Sequence, residues 1–439
     1  MVNIQNKHDA FLKAITGLVL SSPPGNTAPW ITESRTSGIN RFTQIGFPTQ
    51  KSEAWRYTNV DSIAGKVFQL PQEHTLIERD QFNNFEKGSP VSLVFVNGQF
   101  QPGLSHLKDL PSKCTIANFA DSQPVTEGLI RPYLDRYSST TEDTFEALNR
   151  AFIGNGTVIK VNDRVVIDPL IHIIHVISSK TGNLMTFPRT LIILGKFSEA
   201  QVMESYVSFS DITYFTNALT DIFAGEDSKL HYYKAQGENQ KALHIGSTRI
   251  WQERNSQVES FSFSTGAVLC RNNLSVVLNG EGSSSILNGL YAVSNNQHVD
   301  NHTVVEHRPP HCTSNQLYKG ILDGNATSAF NGRILVRREA QQTNSYQLNK
   351  NLLLGKTCVA NTKPQLEIFA DDVRCTHGAT IGQLNEDELF YLQTRAISKE
   401  KAIKMLSRGF VDDILGRIIN PFVHDKMDRL LTNAFSALQ

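Results

Sequence analysis

The chain has 439 residues, enough for one large domain with smaller attachments around a substantial core. Its 42 basic and 42 acidic residues cancel, which argues against a dedicated nucleic-acid or membrane-surface binder, since both need a cationic excess. Five cysteines (Cys114, Cys270, Cys312, Cys358 and Cys375) are spread without a CxxC pair, so neither a disulfide framework nor a closed zinc site is expected, and a reducing, cytoplasmic compartment fits best.

The first zone, residues 1–150, reads as a helical and mixed region. Its longest apolar run, residues 14–20, is too short to span a bilayer. Phe11, Leu12, Ile15 and Leu18 share one face of an amphipathic helix there, and Asp9 counts against a signal peptide. A breaker stretch at 21–26 follows, then a short helix or turn at 51–58. Val91–Val96 reads as a strand closed by the tight-turn pair Asn97-Gly98.

The second zone, 151–384, changes character. Short β-branched segments recur between Gly, Asn, Asp and Ser, at Thr157–Val161, 165–167, Ile171–Ile177, 190–194, 275–278 and 333–336. Many short strands with polar turns predict a mainly β fold, and two-residue hairpin loops are sparse. Small and amide residues beside strands (Asn279-Gly280, Asn288-Gly289, Asn331-Gly332) suit the corners of a parallel β-helix, although pattern alone leaves solenoid and sandwich both open. The third zone, 385–439, is helical. Asn385 and Ser398 are N-cap residues, Asn420-Pro421 separates two helices, and Ile403, Leu406, Phe410, Ile414 and Ile418 form an apolar stripe expected to pack on the β body.

Three constellations could carry chemistry. Gly355-Lys356-Thr357 ends like a phosphate-binding loop, but Lys350 stands where that loop needs its first glycine, so any ATP-driven step is expected to lie in another subunit. His298, His302, His307 and His311 recur at metal-like intervals. On a strand, however, His298 and His302 would lie about 13 Å apart, so hydrogen-bonded histidines are the better reading. Cys375 and His377 share a strand face, and a thiolate with an imidazole suits iron, zinc or copper. Two ligands do not complete a site, and on spacing alone a buried structural cysteine is the better reading.

Long, specific stretches run through Asp300, Asn301, His302, Thr303, Val304, Val305, Glu306 and His307, then residues 318–324, Phe330-Asn331-Gly332, residues 363–368 and residues 370–380 with Cys375, His377 and Gly378. In these stretches the chain resembles the SufB/SufD family, the paired scaffold proteins of the SUF iron–sulfur assembly system. Residues 51–58 and the glycine after His377 are similar to the SufD branch rather than SufB. The resemblance implies a right-handed parallel β-helix between helical regions, and a non-enzymatic subunit in a complex with a SufB-type paralogue and a SufC-type ABC ATPase. It further implies a transient iron–sulfur cluster at the paralogue interface, with no cofactor held tightly by the isolated chain. His377, and less firmly Cys375, would be metal ligands completed by the partner chain. Glu388, Leu389, Phe390, Tyr391, Leu392, Arg395, Gly409 and Phe410 fall in the segment that docks the ATPase, and an isolated chain is expected to be capable of homodimerising. The rival class is a stand-alone β-helix enzyme or binding module acting on polysaccharide, against which sparse acidic clustering counts.

Overall fold

The computed structural model describes residues 4–21, 28–71, 77, 79–80, 82, 91–108, 110, 113–119, 124–134 and 143–436. Among them, the chain winds alternately through two long parallel sheets. Lys229–Gly237 lies in one sheet, Leu243–Gln252 in the other, and Gln257–Thr265 returns to the first. Each strand pairs with the strand one coil later, so Leu243 sits beside Leu269, Leu269 beside His298, His298 beside Thr327, and Thr327 beside Val359. This is a parallel β-helix, in which a coil buries its apolar side chains only against its neighbours. Aliphatic residues from both sheets, among them Ile171, Val202, Ile222, Ile250, Val276 and Val305, stack along the lumen.

One corner column explains how the coils keep register. Arg164, Phe197, Asp227, Asn255, Gly282, His311 and Gln342 all adopt positive φ. The N–H of each non-glycine member reaches the next coil, for example Phe197 to the Glu226 carbonyl, Asp227 to Arg254 and Asn255 to Glu281, each 2.9 Å. A left-handed non-glycine residue costs about 1–2 kcal/mol, and the interlocked backbone hydrogen bonds offset that cost. The column also corrects one expectation. Residues 165–167 do not form a strand, because Val166 makes only an isolated bridge to Glu199 as the chain leaves the corner at Arg164.

The helical regions cover opposite outer faces. Helices α1 (Ile4–Ser21), α2 (Pro29–Ile45), α3 (Asp61–Ala64), α4 (Pro124–Leu134) and α5 (Thr144–Ala151) lie before the main solenoid strands. Phe11, Phe42, Phe47, Trp55 and Phe145 form an aromatic cluster that packs on Phe215, Leu243 and Ile245 of one sheet. Gly38 lets α2 and α5 touch, since a Cβ there would lie 2.5 Å from the Ala151 nitrogen. Val91–Val96, in the N-terminal zone, pairs in parallel with Ile171–Ile177 and so adds a strand to the solenoid.

Helices α6 (Glu386–Thr394), α7 (Lys399–Leu415) and α8 (Pro421–Ser436) follow the last coil. Asn385 and Ser398 cap α6 and α7 as their side chains allow, accepting from Asp387 and Lys401. Val411, Ile414, Leu415 and Ile418, then Val423, Met427, Leu431 and Phe435, bury against Met203, Tyr233, Phe261, Leu290 and Leu317 of the second sheet. The stripe therefore packs on the β body, with its centre at Val411 and Leu415 while Ile403 and Leu406 are only half-buried.

The lumen is not purely aliphatic. The Glu204 carboxylate accepts from Tyr232 (2.5 Å) and Thr220 (2.8 Å), Glu238 pairs with His244 at 2.8 Å, and Lys234 donates to Asn272 at 3.0 Å. His175 and His307 are buried, and burial pushes both imidazoles down to about 4. Between pH 6.5 and 4 the unfolded chain therefore binds protons that the folded chain refuses. Stability is full above pH 6.5 and falls as pH drops toward 4, with each imidazole contributing about 1.4 kcal/mol per pH unit. Urea midpoints at pH 7.5, 6.0 and 5.0 are expected to decline with this slope, and His307→Gln to flatten it.

Candidate functional site

The last coil is where the coverings stop. Val359–Ile368 and Val373–Gln383 are the terminal strands of the two sheets, each paired on one side only among the described residues. Most residues of Val373–Gln383 are exposed, as are Val359, Ile368, Ile381 and Phe369, the last with 61% of its surface accessible. One coil earlier, the register partners of Ile368 and Ile381, which are Val336 and Asn351, are buried. Apolar side chains on an unpaired strand edge are a surface built for covering.

Cys375 and His377 project from this edge toward the lumen side. Val373 and Cys375 pack on Ile334, Val336, Ala340 and Ala370 at the mouth of the lumen, and His377 follows two residues on with the same facing. Gly378 faces outward, where a Cβ would stand 3.1 Å from Leu348. The strand pair expected from the spacing is thus present. Cys375 is half-buried, and burial pushes its thiol up.

Each of the two continues a column running back through the coils. Behind Cys375 stand Ser345 and Ser314, whose hydroxyls bond at 2.7 Å, and Ser314 bonds in turn to the His307 ring at 2.9 Å. Behind His377 stand Gln347 and Gln316. Among the described residues no group of three or more His, Cys, Asp or Glu side chains is arranged to hold a metal ion. Cys375 and His377 are two ligand-type side chains on one strand face, with no third grouped beside them among the described residues.

The remaining candidates separate. Gly355-Lys356-Thr357 forms a corner in which Thr357 donates to the Gly324 carbonyl at 2.7 Å, a structural turn rather than a phosphate cradle. The four histidines diverge: His307 lies in the lumen, His311 on the left-handed corner, and His298 and His302 on the outer face. On α6, Glu388, Tyr391, Arg395 and Phe390 (68% accessible) face solvent, with the Arg395 guanidinium over the Tyr391 ring. Gly409 is also exposed and Leu392 is half-buried. Leu389 is buried, and Phe410 packs beside Lys319, which donates to its carbonyl at 2.8 Å and pairs with Asp413 at 2.5 Å.

Sequence reasoning missed a clamp that joins the N-terminal region to the coils. The Arg271 guanidinium lies 3.7 Å from the Trp55 ring centre, donates to the Ala54 carbonyl at 2.8 Å and pairs with Asp300 at 2.5 Å. The Thr58 hydroxyl donates to Asp300 (2.5 Å) and therefore accepts from His298 Nε2, leaving His298 Nδ1 to accept from Thr327 at 2.7 Å. Glu53 pairs with Lys363 on the terminal coil. Residues 53–58 and Asp300, both within the motifs that carry the resemblance, thus serve each other, with His298 beside them. The pairing of an acid, a histidine and a distant Trp-x-x-Thr was the available signal.

Comparisons with known proteins point to one family. Residues 175–410 match the family model "SUF system FeS cluster assembly, SufBD core domain", and residues 24–173 match the "SufBD protein N-terminal region". The chain is similar to an iron–sulfur cluster assembly SufBD family protein of Synechocystis sp., with 29% identity over 94% of this chain and 93% of the relative. It is similar to the iron–sulfur cluster assembly protein SufD of Escherichia coli, with 30% identity over 86% of both. A chloroplastic protein of Arabidopsis thaliana, ABCI7, shares 27% identity over 93% of this chain and 86% of its own length.

The clamp yields a test of its own. Asp300→Ala leaves the buried Arg271 charge without its carboxylate and should destabilise the chain by about 3–5 kcal/mol. Arg271→Met combined with Asp300→Leu should cost far less, as read from denaturant midpoints and from protease cleavage within residues 46–60.

Proposed function

The chain belongs to the SufBD family of SUF-system iron–sulfur cluster assembly proteins, and from that premise we propose that it is a non-enzymatic scaffold subunit whose open terminal coil forms half of a cluster-assembly site. The observation that carries the reading is the coincidence of Cys375 and His377 with the strand edge that lacks a neighbour. A thiolate and an imidazole are ligands for iron, and two of them are half of a four-ligand shell. A SufB-type paralogue supplies the rest, its own terminal strand pairing with Val373–Gln383 and covering Ile381 and Phe369. The cluster is cargo, made there and passed on. His377 contributes a ring nitrogen, Cys375 contributes sulfur once its proton has left, and the covered edge keeps water from the nascent cluster.

A SufC-type ABC ATPase docks on α6 and the adjoining part of α7. Phe390 and Tyr391 are its apolar anchors, Glu388, Leu392, Arg395 and Gly409 surround them, and Leu389 and Phe410 hold the helices on the solenoid. Aromatic side chains with an arginine beside them are the usual composition of an interface core. ATP hydrolysis belongs to that partner, and this chain transmits the movement. The complex works in the cytoplasm. Among the described residues no helix is long and apolar enough to cross a membrane. Alone, the chain covers its open edge by pairing with a second copy.

Co-expression with a SufB-type paralogue and a SufC-type ATPase should give a complex that carries a labile cluster. His377→Ala is expected to leave the complex intact and lower its iron and sulfide content by about tenfold or more. Undiminished iron and sulfide in that variant would remove His377 from the site.

A further inference from the structure

We propose that Gln347 is the positioning residue for His377, the last rung of an amide ladder inside the solenoid that holds the imidazole in one orientation and one tautomer. The inference rests on the reading of His377 as a metal ligand, but the structural facts behind it do not.

Gln316, Gln347 and His377 occupy the same column in three successive coils, each the direct neighbour of the next. The two glutamines are fully buried, at 1% and 0% accessible. Gln347 Nε2 donates to Gln316 Oε1 at 2.6 Å, so the donor end of the Gln347 amide is committed to the preceding coil. Its acceptor end, Oε1, is buried and has no hydrogen-bond partner. An unpaired buried acceptor costs about 1–3 kcal/mol, a cost the next rung removes if it brings an N–H. The next rung is His377.

A second feature shows that the socket is built for this amide. Gly332 faces Gln347 across the lumen, and a Cβ there would stand 2.2 Å from Gln347 Nε2 and 2.8 Å from Cδ. Glycine at 332 is what lets the Gln347 side chain lie flat across the opposite sheet, with too little room to turn the amide away from its column. One coil on, Pro364 replaces Gly332 and His377 replaces Gln347.

The chemistry follows from the two ring nitrogens. In this structure the ring does not bond Gln347 Oε1; in the proposed arrangement one nitrogen turns to donate its N–H there, and the other keeps its lone pair toward the open end of the solenoid. A metal-ligating imidazole needs that arrangement, with the far nitrogen anchored to a carbonyl or carboxylate so that tautomer and ring plane are fixed before the metal arrives. Gln347 touches neither metal nor partner and acts through His377.

The test uses the full chain alone, without partner or cluster, so it stands apart from whether His377 ligates iron. Protein labelled with 15N-histidine is examined at about pH 8.5, where free imidazole is neutral, and the His377 ring signals are identified by their loss in His377→Ala. One tautomer should dominate in the native chain. Gln347→Leu should bring the two ring-nitrogen shifts toward the averaged values of a free imidazole. Gln347→Glu, which keeps an acceptor at the same place, should restore the bias. A tautomer mixture like that of free histidine in the native chain overturns the proposal, and so does an unchanged bias in Gln347→Leu. The native measurement decides alone if the variants do not fold.

Discussion

A parallel ladder wound from one chain must end in an unpaired edge, and the placing of that edge governs the rest of this molecule. Every interior strand satisfies its backbone groups against the coils before and after it. The last strand, Val373–Gln383, has only the coil before it. Most proteins blunt such an edge with charge, a bulge or a covering helix. Here α7 and α8 turn back along the outer face of the earlier coils and bury their stripe on Phe261, Leu290 and Leu317, leaving the terminal coil uncovered. The chain has the helices to cap its own end and spends them elsewhere.

That arrangement links stability and site. The left-handed corner column and the backbone ladders fix each coil to the next, so the place of residue 377 is set by strand pairing with residue 347 and not by a loop. The clamp of Trp55, Arg271, Asp300 and Thr58 fastens the N-terminal region to the same stack, and Glu53 reaches Lys363 on the final coil. A site built on rigid strands keeps its ligands within the narrow tolerance that metal binding demands. On the proposed reading, half a site held this firmly needs only a partner of equal rigidity.

Much of this was legible in the sequence, and the exceptions have physical causes. Ile171–Ile177 and the β-branched runs announced strands because alternation and branching are local properties, and Asn385 and Ser398 announced helix starts for the same reason. The corners were not legible. Their left-handed positions hold Arg164, Phe197, His311 and Gln342, residues chosen by the stacked hydrogen bonds of neighbouring coils and carrying no turn signature of their own. Cys375 and His377 could be placed on one face from their spacing, yet not at an open edge, which depends on where the solenoid ends. Arg271 with Ala54, 217 residues apart, and Gln347 with Gly332 across the lumen, are contacts made by winding. The family resemblance covers Ala54 and Gly332 but neither Arg271 nor Gln347, and it did not say which residues touch.

The central claim is that the edge of Val373–Gln383 is completed by another chain, and amide hydrogen exchange reads it directly. In the isolated chain, held dilute enough to remain a monomer, the edge-facing amides of this strand should exchange fast while those bonded to Thr343–Leu353 stay protected. Adding the SufB-type paralogue should slow the exposed set to the rate of the interior strands. If the two chains bind and that set continues to exchange as in the monomer, the partner docks elsewhere and the account of a shared site at His377 is wrong.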